Sequence, residues 1–210
     1  MADKNKAVAA QLRNRLTDPI TIFTGILCIV GLLQWCTLEK TDDTMRAGGR
    51  AFVFVKQSPG QWTTPRKIGN EIVHSWHIEW ENSGNSQTKE LILELYCVRP
   101  QKTSVADPIS AYGKPTVTTQ MSLGPKQTTW GGVCNYRAGE LESIRTNEMH
   151  LYIGARATYF DIFDAPHVTE YCTEIIDLTG TFDDLSQRPD NRLRNCVMRN
   201  CADKECDTKK

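Results

Sequence analysis

The stretch Glu71–Glu81, EIVHSWHIEWE, alternates two kinds of side chain along its whole length. Ile72, His74, Trp76, Ile78 and Trp80 share one parity, and Val73, Ser75, His77 and Glu79 share the other. A period of two is the mark of a β-strand with one face against a core, so this segment decides for a β fold. Trp76 and Trp80 are read as core, with an aromatic ligand platform as the second use of such a stripe. His74 lies on the apolar parity as a hydrogen-bonded rim residue, and His77 is assigned to the exposed face. Histidines three apart on a strand point to opposite faces, so these two do not form a metal pair.

Shorter runs of the same kind lie on both sides. Ala51–Lys56 is closed by Ser58-Pro59-Gly60, and Asn82-Ser83-Gly84-Asn85 supplies the turn after Glu81. Leu91, Leu93, Leu95 and Cys97 alternate up to Arg99-Pro100. Pro115–Ser122 and Gln127–Cys134 flank the turn cluster Leu123-Gly124-Pro125-Lys126, and Gly139–Glu148 reads as a short helical insertion. Met149–Phe160 and His167–Ile176 are joined across Asp161–Pro166. About seven short strands with Gly/Pro/Asn punctuation and little helix predict an all-β domain. The expected fold is an antiparallel β-sandwich of immunoglobulin-like type over residues 50–178. The polar stretch 179–210, with Pro189 and many charges, is expected to be a weakly ordered tail.

Upstream, Pro19–Leu38, PITIFTGILCIVGLLQWCTL, carries no charged residue. Its roughly twenty residues match the span of a bilayer's hydrocarbon core at helical rise. Asp18 is a natural N-cap, Pro19 suits a first helical turn, and Gln34-Trp35 suits a lipid–water interface. Thr21, Thr24 and Gly25 weaken the run, which leaves a buried core helix as the alternative to the transmembrane reading adopted here. Residues 39–49, polar and ending in Gly48-Gly49, read as a linker. The leader, residues 1–18, carries Lys4, Lys6, Arg13 and Arg15 against Asp3 and Asp18, whereas Glu39, Lys40, Asp42 and Asp43 open the far side. The positive-inside tendency then places the N-terminus in the cytoplasm and the β-domain in the periplasm, with residues 19–38 in a bacterial inner membrane. No small-x-small cleavage site follows the apolar run, so it reads as an uncleaved signal anchor. Lysine plus arginine equals aspartate plus glutamate at 25 each, and that balance argues against a nucleic-acid partner.

Four pieces together resemble a known family. They are Asp18-Pro19 with Gln34-Trp35 at the end of the anchor, the strand and turn Ile78–Asn85, the turn Leu123-Gly124-Pro125, and Leu151–Cys172, LYIGARATYFDIFDAPHVTEYC. The chain is similar in these to uncharacterised single-pass membrane proteins of alpha- and related proteobacteria, over about residues 18–178. The Asn-x-Gly-Asn turn also resembles adhesion-type sandwich domains of bacterial surface proteins. The resemblance implies an architecture and a location, and no reaction. The cysteine-bearing tail after Gln187 lies outside it.

Chemistry is sparse. Asp161, Asp164 and His167, with Glu170 following, put two carboxylates and an imidazole in one short loop, the donor set of a divalent-cation site. The competing reading is a hairpin turn whose polar side chains bond its own backbone. His74, His77 or His150 would have to approach in space to add ligands. Gly-x-Ser-x-Gly, His-Glu-x-x-His and phosphate-loop motifs are absent from the sequence. Eight cysteines divide into Cys28 and Cys36 in the apolar run and six beyond it. Cys97 shares parity with Leu91, Leu93 and Leu95, and Cys134 shares parity with Trp130, also assigned inward. Two inward cysteines on facing sheets can meet the bridging distance, Cα atoms within about 7 Å, and the alternative keeps Cys97 and Cys134 as small buried hydrophobes. Cys196, Cys201 and Cys206, spaced by five, suit disulfides better than zinc, and their odd number requires a partner elsewhere or a free thiol.

The expected function is a non-enzymatic, membrane-anchored interaction module, held in the lipid bilayer through residues 19–38 and binding another envelope protein, with no cofactor. The alternatives are a metal-dependent enzyme or metal sensor built on the Asp161–His167 loop, and a structural subunit of a membrane assembly.

Overall fold

The computed structural model describes residues 19–56, 61–99, 102, 107, 113–146 and 148–208. The leader expected over 1–18 and the Ser58-Pro59-Gly60 turn lie outside them. The chain divides into two compact units, the boundary falling between Gly48 and Gly49.

The first unit is built on α1, Pro19–Gly49. Its Pro19–Arg46 portion is long and apolar enough to cross a membrane, and none of it is buried. The threonines satisfy their hydroxyls on the helix itself, Thr24 donating to the Ile20 carbonyl at 2.8 Å and Thr37 to that of Leu33 at 2.9 Å. Residues 39–49 do not form the expected linker, because the helix runs through them. No proline or glycine stands between Thr37 and Ala47, and Asp42 pairs with Arg46 one turn on at 2.9 Å. The chain leaves the helix only at Gly48-Gly49, where glycine no longer favours helix.

The second unit consists of two antiparallel sheets. In the first, β4 (Glu71–Asn82) is central. Along one of its edges lie in succession β1 (Val53–Val55), β2 (Gln61–Trp62) and β3 (Arg66–Ile68), and along the other lies β7 (Thr128–Arg137). The second sheet runs β6 (Val117–Met121), β5 (Lys89–Cys97), β8 (Leu151–Phe160), β9 (Pro166–Thr179). β10 (Asp190–Asn195) and β11 (Cys201–Ala202) add along the outer edge of β9. Trp76, Ile78 and Trp80 from β4 meet Leu91, Leu93 and Leu95 from β5 and Leu151, Ile153 and Ile175 from β8 and β9 in one core. A short helix, α2 (Ala138–Arg145), follows β7 and buries Leu141 and Ile144 in that core. The alternation in Glu71–Glu81 thus places its even-numbered residues inward, because burying large apolar surface is the dominant gain on folding.

Both turn motifs are joined by Asn82, which is fully buried. Its side-chain amide donates to the carbonyls of Ser86 at 2.8 Å, Gly124 at 3.1 Å and Leu123 at 3.2 Å. Its Oδ1 accepts the backbone N–H of Phe52 and of Gly84, each at 3.0 Å. Gly84 is required there: a Cβ would stand 2.4 Å from the Arg50 carbonyl oxygen.

Two further expectations are corrected. Trp130 is not inward but 48% exposed, although Cys134 on the same strand is buried. β7 carries an extra residue opposite the step from His77 to Glu79, where Gly131 and Gly132 sit, and this bulge reverses the parity beyond it. Gly131 lies so close to Trp80 that a Cβ would meet the indole Nε1 at 2.4 Å, and Gly132 has φ +118°. The chain after 178 is also not a loose tail. Phe182 enters the core, its carbonyl lies 2.8 Å from His74 Nε2, and Trp62 Nε1 donates to Asn191 Oδ1 at 2.9 Å.

The six cysteines of this unit form three disulfides. Cys97 of β5 and Cys134 of β7 join the two sheets with Cα atoms 5.4 Å apart. Cys172 of β9 is bonded to Cys196, and Cys201 to Cys206, the latter in the terminal turn α3 (Lys204–Thr208). Cys28 and Cys36, in α1, are free.

Candidate functional site

The loop between β8 and β9 folds around Asp161, whose carboxylate is buried because the loop closes over it. Its Oδ1 accepts the backbone N–H of Phe163 at 2.8 Å and of Ala165 at 3.0 Å. Its own N–H donates to the Ala165 carbonyl at 3.1 Å. These bonds are the self-bonded hairpin turn of the second sequence reading. The remaining oxygen, Oδ2, lies 3.2 Å from His167 Nε2. Burial opposes ionisation of Asp161, yet the His167 contact and the two backbone N–H donors outweigh it and hold the carboxyl below its usual range.

His167 sits at the start of β9, its ring stacked on Tyr159 with centroids 5.2 Å apart. Its other nitrogen, Nδ1, lies 3.0 Å from Asp203, which arrives from the turn between β11 and α3. Asp203 also accepts the Val168 N–H at 3.2 Å and has Arg50 at 3.7 Å. The imidazole therefore stands between two carboxylates, one at each ring nitrogen. A ring protonated on both nitrogens donates to both, and a neutral ring donates to one. The two carboxylates approach opposite ring atoms, so the set is a hydrogen-bonded chain and not a common coordination sphere for one ion. A surface cavity of about 580 Å³ opens beside it, lined by Arg50, Tyr159, His167, Asp203 and Lys204 among others.

The structure brings Asp161 and His167 together and leaves Asp164 out. Asp164 turns outward with φ 61° and pairs with Lys89 at 2.7 Å. Glu170 belongs to a different group, bonded to Arg199 at 3.0 Å and with Arg156 at 3.6 Å. Arg199 also holds Asp107 at 2.8 Å, and these hydrogen bonds raise its already high pKa. The three other histidines are engaged elsewhere: His74 with Phe182, His77 edge-on to Trp130 at 5.7 Å, and His150 with Glu174 at 2.6 Å. Among the described residues, one trio of metal-type ligand atoms, on Glu170, Cys201 and Cys206, lies within 4.8 Å. Its two sulfurs are bonded to each other.

Asp203 is the residue that sequence reasoning missed. It lies 36 positions from His167, in a segment read as a tail, and no local pattern marks it. No family model, curated protein or solved structure matches the chain.

Proposed function

We propose that this chain is a non-enzymatic, membrane-tethered interaction module of the bacterial envelope. In this reading α1 anchors it in the inner membrane with the N-terminus in the cytoplasm, and the disulfide-braced domain engages another envelope component from the periplasmic side. The observation that carries the proposal is the division of the cysteines. All six in the β-domain are oxidised into pairs, whereas the two in the apolar helix stay free. Structural disulfides in that number belong to an exported domain.

The immunoglobulin-like part of the reading is supported by strand order. Counting the seven strands expected from sequence, the first, second and fifth share one sheet and the third, sixth and seventh share the other, as in that class. The fourth pairs with the third.

A reporter active only in the periplasm tests the location. Fused after Lys210 it should be active, and fused before Met1 it should be silent. The opposite pattern would overturn both the orientation and the compartment.

A further inference from the structure

Trp130 differs from every other tryptophan of the β-domain. Trp62, Trp76 and Trp80 are buried, whereas Trp130 is turned out by the Gly131-Gly132 bulge. Exposing half of so large a ring forgoes hydrophobic stabilisation that the other three realise. The ring is also not isolated. His77 meets it edge-on with an interplanar angle of 80°, and the two form a corner. Gln61, Trp62, Thr63, Thr64 and Arg188 complete a cleft of about 500 Å³ on this outer face of the first sheet. That volume falls within the range of small-ligand sites, roughly 300–1,000 Å³.

The chemistry of the walls selects the ligand. His77 is depressed in pKa, by burial and by the nearby Arg66 charge, so it stands as a neutral aromatic wall at neutral pH. Arg188 is the permanent charge among the described lining residues, and it donates to the Thr64 hydroxyl at 3.1 Å. A guanidinium has five N–H donors, which leaves it capacity for a carboxylate. Glu79, opposite Trp130 across the strand pair, is already paired with Lys56 at 3.1 Å. The site thus offers a flat apolar face, a ring of hydroxyl and amide groups, and a cation. A proline-rich peptide would want several parallel aromatic ridges, whereas two perpendicular rings with a polar rim suit one saturated, hydroxylated ring at a time.

We propose that the Trp130–His77 cleft binds an acidic saccharide, one pyranose stacking its C–H face on Trp130 while its carboxylate is held by Arg188. This deepens the interaction-module reading and rests on it. The binding experiment is independent of topology, so failure of the reporter test and failure of this one are distinguishable.

The full chain is reconstituted in lipid nanodiscs, because sugar-headed detergents would compete. It is titrated by calorimetry and by tryptophan fluorescence with a tetragalacturonate, with neutral maltotetraose and with a proline-rich decapeptide. Tetragalacturonate should bind saturably, and Trp130→Ala should weaken it by about tenfold or more. Arg188→Gln should lower that affinity to the level of the neutral sugar. Arg188 is exposed, so Arg188→Gln should keep the unmodified chain's urea midpoint, and Trp130→Ala, at a half-exposed ring, should keep a single cooperative urea transition. The proposal is overturned by no saturable saccharide binding, by equal affinity for the neutral tetrasaccharide, by indifference to Trp130→Ala, or by binding of the decapeptide alone.

Discussion

Asn82 shows how much one polar side chain holds when it is buried with all its bonds made. It ties the residue preceding β1, the turn after β4 and the Leu123-Gly124 turn to a single point. Replacing it with alanine would leave the Phe52 and Gly84 N–H groups and three carbonyls without that partner, each buried group costing about 1–3 kcal/mol. Asn82→Ala should therefore destabilise the β-domain by about 3 kcal/mol or more, read from urea midpoints. Asp161 is the charged counterpart. Its carboxyl ionises more readily in the folded chain than in the unfolded one, so its contribution is complete above the ordinary carboxylate range and is lost as pH falls through the folded pKa. Asp161→Asn should consequently cost stability at neutral pH, and the gap between variant and unmodified protein should narrow on acidification. A gap that widens in acid would contradict the assignment of Asp161 as an ionised hub.

At the scale of elements, what sequence could show followed from how local each cause was. β4 was legible because alternation is a property of neighbouring residues and Trp76, Ile78 and Trp80 repeat it without interruption. The outward turn of Trp130 was not, since nothing within Thr128–Cys134 tells which residue the partner strand leaves unpaired. Only the fit of Gly131 against Trp80 fixes it. The helical continuation through 39–49 was obscured by polarity, although no helix breaker stands before Gly48. The order of the last thirty or so residues depends on distant partners: Cys172 for Cys196, His167 for Asp203, Glu170 for Arg199. The Cys97–Cys134 bridge joins elements that share no sheet, across a sequence separation of 37. Replacing both residues with alanine should cost about 3–4 kcal/mol in the chain-entropy picture, measured by urea unfolding without reductant. Peptide mapping without reduction should recover three linked pairs, and recovery of Cys97 and Cys134 as free thiols would remove that bridge from the fold.

For the whole molecule, the helix and the β-domain set separate length scales. At helical rise the 31 residues of α1 extend about 46 Å, more than the roughly 30 Å of a hydrocarbon core. The apolar Pro19–Leu38 portion matches such a core in length, and the polar turns from Glu39 onward exceed it. The pattern of cross-links carries a consequence for how the protein is made. Each cysteine of the domain is joined to the next along the chain: 97 with 134, 172 with 196, 201 with 206. In the proposed topology the N-terminus stays in the cytoplasm, and the residues beyond the anchor would cross the membrane in chain order, delivering their thiols in that order. An oxidant that couples each newly emerged thiol to the one still waiting reproduces the native connectivity, and no thiol has to be held open past an intervening cysteine. The principal miscoupling, Cys134 with Cys172, requires that the first bridge still be open when Cys172 arrives. On the proposed export route, vectorial delivery would do the sorting that disulfide shuffling performs in proteins whose bridges interleave.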